Sequence, residues 1–127
     1  MPLSVLVIED DDLTRLSIVY MLDALKYHVV DAKNVDSALT ILAGVQFDIV
    51  VVSLARNDPD GALFAQEAKL LQPLIKIVVV SGRREQATLN GLIDGFVQKP
   101  FSLSQIDEAI KTMRTSFEER AHALARR

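Results

Sequence analysis

Apolar and polar positions along the chain follow two alternating rhythms, and the switching predicts its elements. Residues 3–9, LSVLVIE, form a nearly continuous apolar run, the pattern of a strand covered on both faces. Asp10-Asp11-Asp12 follow, and then a helix over Leu13–Leu25. In it Leu13, Leu16, Tyr20 and Ala24 recur at helical spacing, Met21 and Leu25 widen the stripe, and Asp12 is the natural N-cap. A short strand over Val29–Asp31 precedes a helix over Val35–Leu42, with Gly44 placed near its C-terminus. Phe47–Leu54 is the central strand. The loop Ala55–Asp60 leads into a third helix over Gly61–Leu71, which Pro73 stops. Ile75–Val80 is a fourth strand, Arg84–Leu92 a short helix and Gly95–Gln98 a fifth strand. After Lys99-Pro100, Ser102 or Ser104 caps a long last helix.

Five strands alternating with helices over short connections predict an α/β fold, a parallel sheet with helices on both faces. No internal repeat or linker divides residues 1–127, so one domain is expected. The last helix carries Leu103, Ile106, Ile110, Met113, Phe117, Ala121 and Leu124 as a stripe that runs almost to the terminus. Two readings stand for its distal part, about 117–127. It packs along the domain with frayed final turns, or from Phe117 onward it contacts a second subunit or an adjoining domain.

Composition narrows the class. A chain of 127 residues with 50% apolar content fits one soluble domain. Net charge of -3 and a pI near 5.3 give no basic footprint for nucleic acid, and no helix-turn-helix is seen. Absence of cysteine removes thiolate and disulfide chemistry and fits a cytoplasmic location. Neither a signal peptide nor an apolar run of about 20 residues is present, so no membrane role is expected.

In an open α/β sheet, ligands bind outside the carboxyl ends of the strands. The topology should therefore gather Glu9, Asp10, Ser53, Ser81 and Lys99 on one edge. Adjacent carboxylates at a strand end repel one another unless a cation compensates. That cation is either Mg²⁺, which suits oxygen ligands, or Lys99. Equally, Glu9 and Asp10 merely cap the first helix and pair with Lys99. Asp11 reads as a solvated surface acid. Lys99, held extended by Pro100, can reach toward an anion or form a surface salt bridge of little energy. Ser81-Gly82 caps the fourth helix or offers a hydroxyl to an oxyanion. Asp58-Pro59 is a turn signal, Asp60-Gly61 belongs to the turn and helix start, and Asp48, at the opposite end of its strand, is structural or solvated. Ser53 would be a nucleophile only with a base to activate it. His28 lies at the other edge, His122 on the distal helix, and no GxSxG elbow surrounds the serine. Lys99 between two acids stays protonated. The expectation is that the chain is not an enzyme.

Taken together, the chain to about residue 115 resembles a response-regulator receiver domain (CheY-like) of bacterial two-component signalling. Glu9 and Asp10 match the family's Mg²⁺-binding acidic pair, Ser81 its hydroxyl residue, and Lys99-Pro100 its lysine with the following proline, cis in family members. Asp60-Gly61 match the end of the loop after the third strand. Ala55 falls where a backbone carbonyl completes the metal shell, and Phe96 where an aromatic side chain changes rotamer in the switch. The resemblance implies a flavodoxin-like, doubly wound five-stranded sheet in the order 2-1-3-4-5. It also implies an output surface on the fourth helix, fifth strand and last helix: Leu89, Ile93, Phe96, Gln98 and the outward side of 103–117, with Phe117 at its end.

The departures direct the functional reading. Ser53 occupies the place of the phosphoacceptor aspartate and supplies neither its nucleophile nor its metal ligand. Asn57 replaces a common proline, and the segment from Ser81 to Lys99 is about four residues shorter than usual, roughly one helical turn. These independent changes favour natural degeneration over a laboratory substitution at position 53. The expected function is a phosphorylation-independent signalling module that acts through protein partners, as adaptor, dimeriser or input domain. A homodimer through the last helix is among these, and Mg²⁺ binding is expected to be weak or absent. The alternatives are an ordinary receiver with Ser53 substituted for its acceptor, or phosphotransfer to Asp58 or Asp60.

Overall fold

The apolar runs become strands because side chains on both faces of each find a helix layer to pack against. The structure, a computed structural model, describes residues 2–53, 61–82 and 92–113. Strands β1 (Ser4–Ile8), β2 (His28–Ala32), β3 (Ile49–Ser53), β4 (Lys76–Ser81) and β5 (Gly95–Gln98) form one parallel sheet in the order β2-β1-β3-β4-β5. Helices α1 (Asp12–Ala24), α2 (Val35–Gly44) and α3 (Gly61–Leu71) connect them. A further helix runs through residues 103–113. The expected doubly wound fold and strand order are both observed.

Alternation along the strands divides the core. Leu6, Ile8, Val50, Val52, Ile77 and Val79 face α2 and α3, where Leu42, Phe64 and Ala68 are buried. Val5, Val7, Ile49, Val51, Val78 and Val80 face α1 and the last helix, meeting Ile18, Leu22, Ile106, Ile110 and Met113. A strand flanked in this way needs apolar side chains at every position, which is why its run is continuous. Among the described residues, no helix is long and apolar enough to cross a membrane.

Two local expectations are corrected, and the choice between Ser102 and Ser104 as a cap is decided. The buried face of α1 is Ile18 and Leu22, whereas Leu13, Leu16 and Tyr20 are 77%, 47% and 67% exposed. Both stripes have helical spacing, and only packing against β1 selects between them. The N-cap of α1 is Asp11, not Asp12. Its backbone is extended and its carboxylate accepts from the Thr14 backbone N–H at 2.8 Å and from the Thr14 hydroxyl at 2.6 Å. The last helix is capped by Ser102 in a reciprocal pair. Gln105 N–H donates to Ser102 Oγ at 3.3 Å, and Ser102 N–H to Gln105 Oε1 at 2.7 Å. The helix expected after residue 83 and the extension beyond 113 lie outside the described residues.

Asp48 is structural, as expected: its carboxylate accepts from Ser4 N–H at 2.8 Å, tying β3 to β1 at the edge away from the site. Gln72, which nothing in the local pattern singles out, joins three segments at that same edge. Its amide donates to the Leu42 carbonyl at 2.9 Å and the Val45 carbonyl at 2.6 Å, and accepts from Phe47 N–H at 2.9 Å. The residue is buried, so truncation leaves three backbone groups without partners. Gln72→Ala is expected to destabilise the fold by about 2–3 kcal/mol, read from the midpoint of urea denaturation.

Candidate functional site

Parallel pairing fixes what meets at the carboxyl edge. β3 lies between β1 and β4, with Ile8 opposite Val52 and Ser53 opposite Val80. β5 closes on β4 with Ser81 opposite Gln98, and Lys99 N–H donates to the Ser81 carbonyl at 2.8 Å. The ends of β1, β3, β4 and β5 therefore lie side by side, carrying Glu9, Ser53, Ser81 and Lys99. The Lys99–Pro100 peptide bond is cis.

Glu9 and Asp10 separate despite being neighbours in sequence. The Glu9 side chain is only 5% exposed, and Lys99 Nζ lies 3.7 Å from its Oε1. Asp10 is exposed. It lines a cleft of about 200 Å³ with Lys33, Asn34 and Ser53. Of the two cations weighed for the acidic pair, the lysine meets Glu9. Ser81 is buried. Ser53 Oγ is also buried and has no hydrogen-bond partner among the described residues. Among the described residues, no base is hydrogen-bonded to it, as activation of a hydroxyl nucleophile requires. His28 starts β2, at the edge away from the site.

Arg15 is a residue that sequence reasoning missed. From the first turns of α1 its Nη1 donates to the Glu9 carbonyl at 3.0 Å, its Nε to Asp31 Oδ2 at 3.0 Å and its Nη2 to Asp12 Oδ1 at 2.8 Å. One guanidinium thus fixes the end of β1, the start of α1 and the end of β2. The hydrogen bond from Arg15, with Lys33 close by, holds the Asp12 carboxyl below its ordinary range. The hydrogen bonds from Thr14 do the same for Asp11. The only advance signal for Arg15 was its place one turn after three aspartates.

Among the described residues, few donors for a divalent cation come together. Mg²⁺ asks for several oxygen ligands in near-octahedral array. Here Glu9 has Lys99 Nζ at 3.7 Å, and position 53 offers a neutral hydroxyl. Among the described residues, no three carboxylate, imidazole or thiolate side chains gather into one cluster. Ala55, whose carbonyl was expected to contribute, lies outside the described residues, as do Asn57, Asp58 and Asp60.

Two surfaces flank the edge. A groove of about 420 Å³ runs between β5 and the last helix, lined by Phe96, Gln98, Gln105 and Ala109 among others. Ile93 and Phe96 are partly buried against the core and Gln98 is exposed. Leu89 and Phe117, also expected on this face, lie outside the described residues. The second surface is a groove of about 410 Å³ beside Lys99, lined by Met21, Pro100 and Phe101, next to the exposed apolar side of α1.

Comparison with known proteins agrees with this geometry. Residues 5–111 match the family model of the response regulator receiver domain. The chain is 35% identical over 116 residues to the sensor kinase CckA of Brucella abortus (strain 2308), covering 87% of this chain and 12% of that protein. It is 26% identical over 106 residues to the autoinducer 1 sensor kinase/phosphatase LuxN of Vibrio campbellii, covering 81% and 12%. The chain thus spans 12% of the length of each of these relatives. In fold it is similar to a CheY-like receiver domain protein of Methanospirillum hungatei JF-1, with TM-score 0.83, 22% identity and 94% and 99% of the two chains covered. It is likewise similar to the response regulator TrrA of Thermotoga maritima, solved in complex with Mg²⁺-BeF, with TM-score 0.78, 21% identity and 89% and 99% covered.

The capping of α1 makes a pH-dependent prediction. Asp11 titrates lower in the folded chain than its ordinary value of 3.8, so its contribution is complete above that value. It is lost as pH falls through the lowered one. Asp11→Ala should lower the melting temperature at pH 7 more than Asp12→Ala does. The gap between Asp11→Ala and the unsubstituted chain should narrow as melting is repeated at pH values falling below 3.8.

Proposed function

The chain belongs to the response regulator receiver domain family, and we propose that it works within that family by binding protein partners, without taking up a phosphoryl group. The observation that carries this reading is Ser53. It stands at the carboxyl end of the central strand with its Oγ buried and unpartnered among the described residues. A serine hydroxyl is uncharged near neutral pH, and its shorter side chain does not reach where a carboxylate would. Lys99, in an ion pair with Glu9, does not serve as its base. The module is then no enzyme. It is a cytoplasmic scaffold that presents surfaces, with Mg²⁺ bound weakly or not at all.

Two faces suit partners. The groove between β5 and the last helix combines partly buried Phe96 with exposed Gln98. The α1 face exposes three large apolar side chains, Leu13, Leu16 and Tyr20, in helical spacing. Kinship with segments of sensor kinases suggests a place in a two-component pathway, as an adaptor, a dimeriser or a regulatory domain of a longer protein. Dimerisation would run through the last helix and its apolar continuation toward Phe117.

A second reading has its own support. Glu9, Ser81 and Lys99 all stand in register around position 53. That is what an ordinary receiver with Ser53 in place of its acceptor would keep. Incubation with acetyl phosphate and Mg²⁺, followed by intact mass, separates the two. No phosphoryl adduct is expected on the chain, nor a stable Mg²⁺-dependent one on Ser53→Asp. An adduct on Ser53→Asp alone would favour the second reading. An adduct on the unsubstituted chain, mapped to Ser53, Asp58 or Asp60, would sink the proposal.

A further inference from the structure

The edge of the sheet away from the site carries an apolar surface of its own. Two uncharged runs meet there, residues 41–47 (ILAGVQF) at the end of α2 and 70–75 (LLQPLI) at the end of α3. Gln72 joins them, donating to the Val45 carbonyl and accepting from Phe47 N–H. A groove of about 470 Å³ opens between the runs, lined by buried Phe47, Gln72 and Ile75 and by exposed Gln46, Pro73 and Leu74. Leu70 and Leu74 stand 80% and 64% exposed, and Val45 and Leu71 are exposed as well. Nearby charges are engaged elsewhere. Asp48, the one charged residue that lines the groove, accepts from Ser4 N–H, and Lys69 and Lys76 pair with Asp94.

Apolar side chains standing in water beside an open groove gain from being covered. A strongly charged partner would meet no counter-charge on this rim. A second copy of the chain brings the same uncharged runs, so no like charges are set against one another. The surface also holds both halves of a fit, protruding leucines and an open groove. About a two-fold axis each contact is made twice, so one copy's leucines and the other's groove serve each other. We propose that the chain pairs with a second copy through this edge, Leu70 and Leu74 of each copy covering the groove of the other. Both carboxyl edges would then point outward, with the α1 faces and the grooves beside β5 left open. The last helix, the other route to a dimer, is left free. The pairing does not depend on whether a phosphoryl group is taken up.

Sedimentation velocity over a wide range of protein concentration tests this. The unsubstituted chain should show a monomer–dimer equilibrium. Leu74→Asp places a charge in the contact twice per dimer and should weaken pairing by roughly tenfold or more. Because Leu74 is exposed, the melting temperature of the monomer should not change. Gln46→Glu is a milder second probe. It should weaken pairing at low salt and recover it at high salt, as screening removes the added repulsion. Phe117→Asp should leave the equilibrium as it is. A chain that stays monomeric at every concentration would overturn the inference. So would a dimer that both Leu74→Asp and Gln46→Glu leave intact, or one that Phe117→Asp alone dissolves, which would move the contact to the last helix. Pairing that begins only after residues 114–127 are removed would assign the groove to that segment and equally overturn it.

Discussion

A carboxylate almost wholly removed from water at the end of β1 must keep a cation, and much of the site follows from that need. Glu9 is carried inward by β1, whose preceding residues are buried on both faces. Once there it draws Lys99 from the end of β5, two strands beyond β3. Lys99 can answer because its backbone is bonded to the Ser81 carbonyl and its strand is in register with β4. The ion pair thus reaches across the edge over the position of Ser53. An isolated pair of this kind contributes little net stability, but breaking it leaves an uncompensated buried charge. Its effect is to fix an arrangement.

Position 53 takes its meaning from that arrangement. In a sheet of this order, the end of the central strand is where chemistry would be placed. The groups around it are the acids, hydroxyl and lysine that a phosphoryl-accepting family gathers. A buried hydroxyl with no partner among the described residues adds neither charge nor a hydrogen bond to them. On the proposed reading, the scaffold is kept without the reactive group, and the binding faces beside it are the parts left to act.

Much of the fold was legible in the sequence because parallel strands covered on both sides must be apolar at every position. VLVI, IVVV and the run ending at Val80 could hardly be read otherwise. Legibility failed where two answers satisfied the same local rule. On α1, Leu13, Leu16 and Tyr20 form as regular a stripe as the buried Ile18 and Leu22, and only the sheet beneath chooses between them. Of three adjacent aspartates any one can cap a helix, and the one whose backbone stayed extended was Asp11. At the site, the convergence of strand ends followed from topology, but the division of labour between Glu9 and Asp10 did not. Arg15 and Gln72 act between segments far apart in sequence, so no local pattern announces them.

The most direct measurement of the central claim is the amide NMR spectrum of the chain before and after addition of Mg²⁺ with beryllofluoride, a mimic of an acyl-linked phosphoryl group. The account predicts that the signals of Ser81, Phe96 and Lys99 stay where they are, because Ser53 offers no carboxylate to bind the mimic. Saturable shifts spreading from position 53 through β4 and β5 would contradict it.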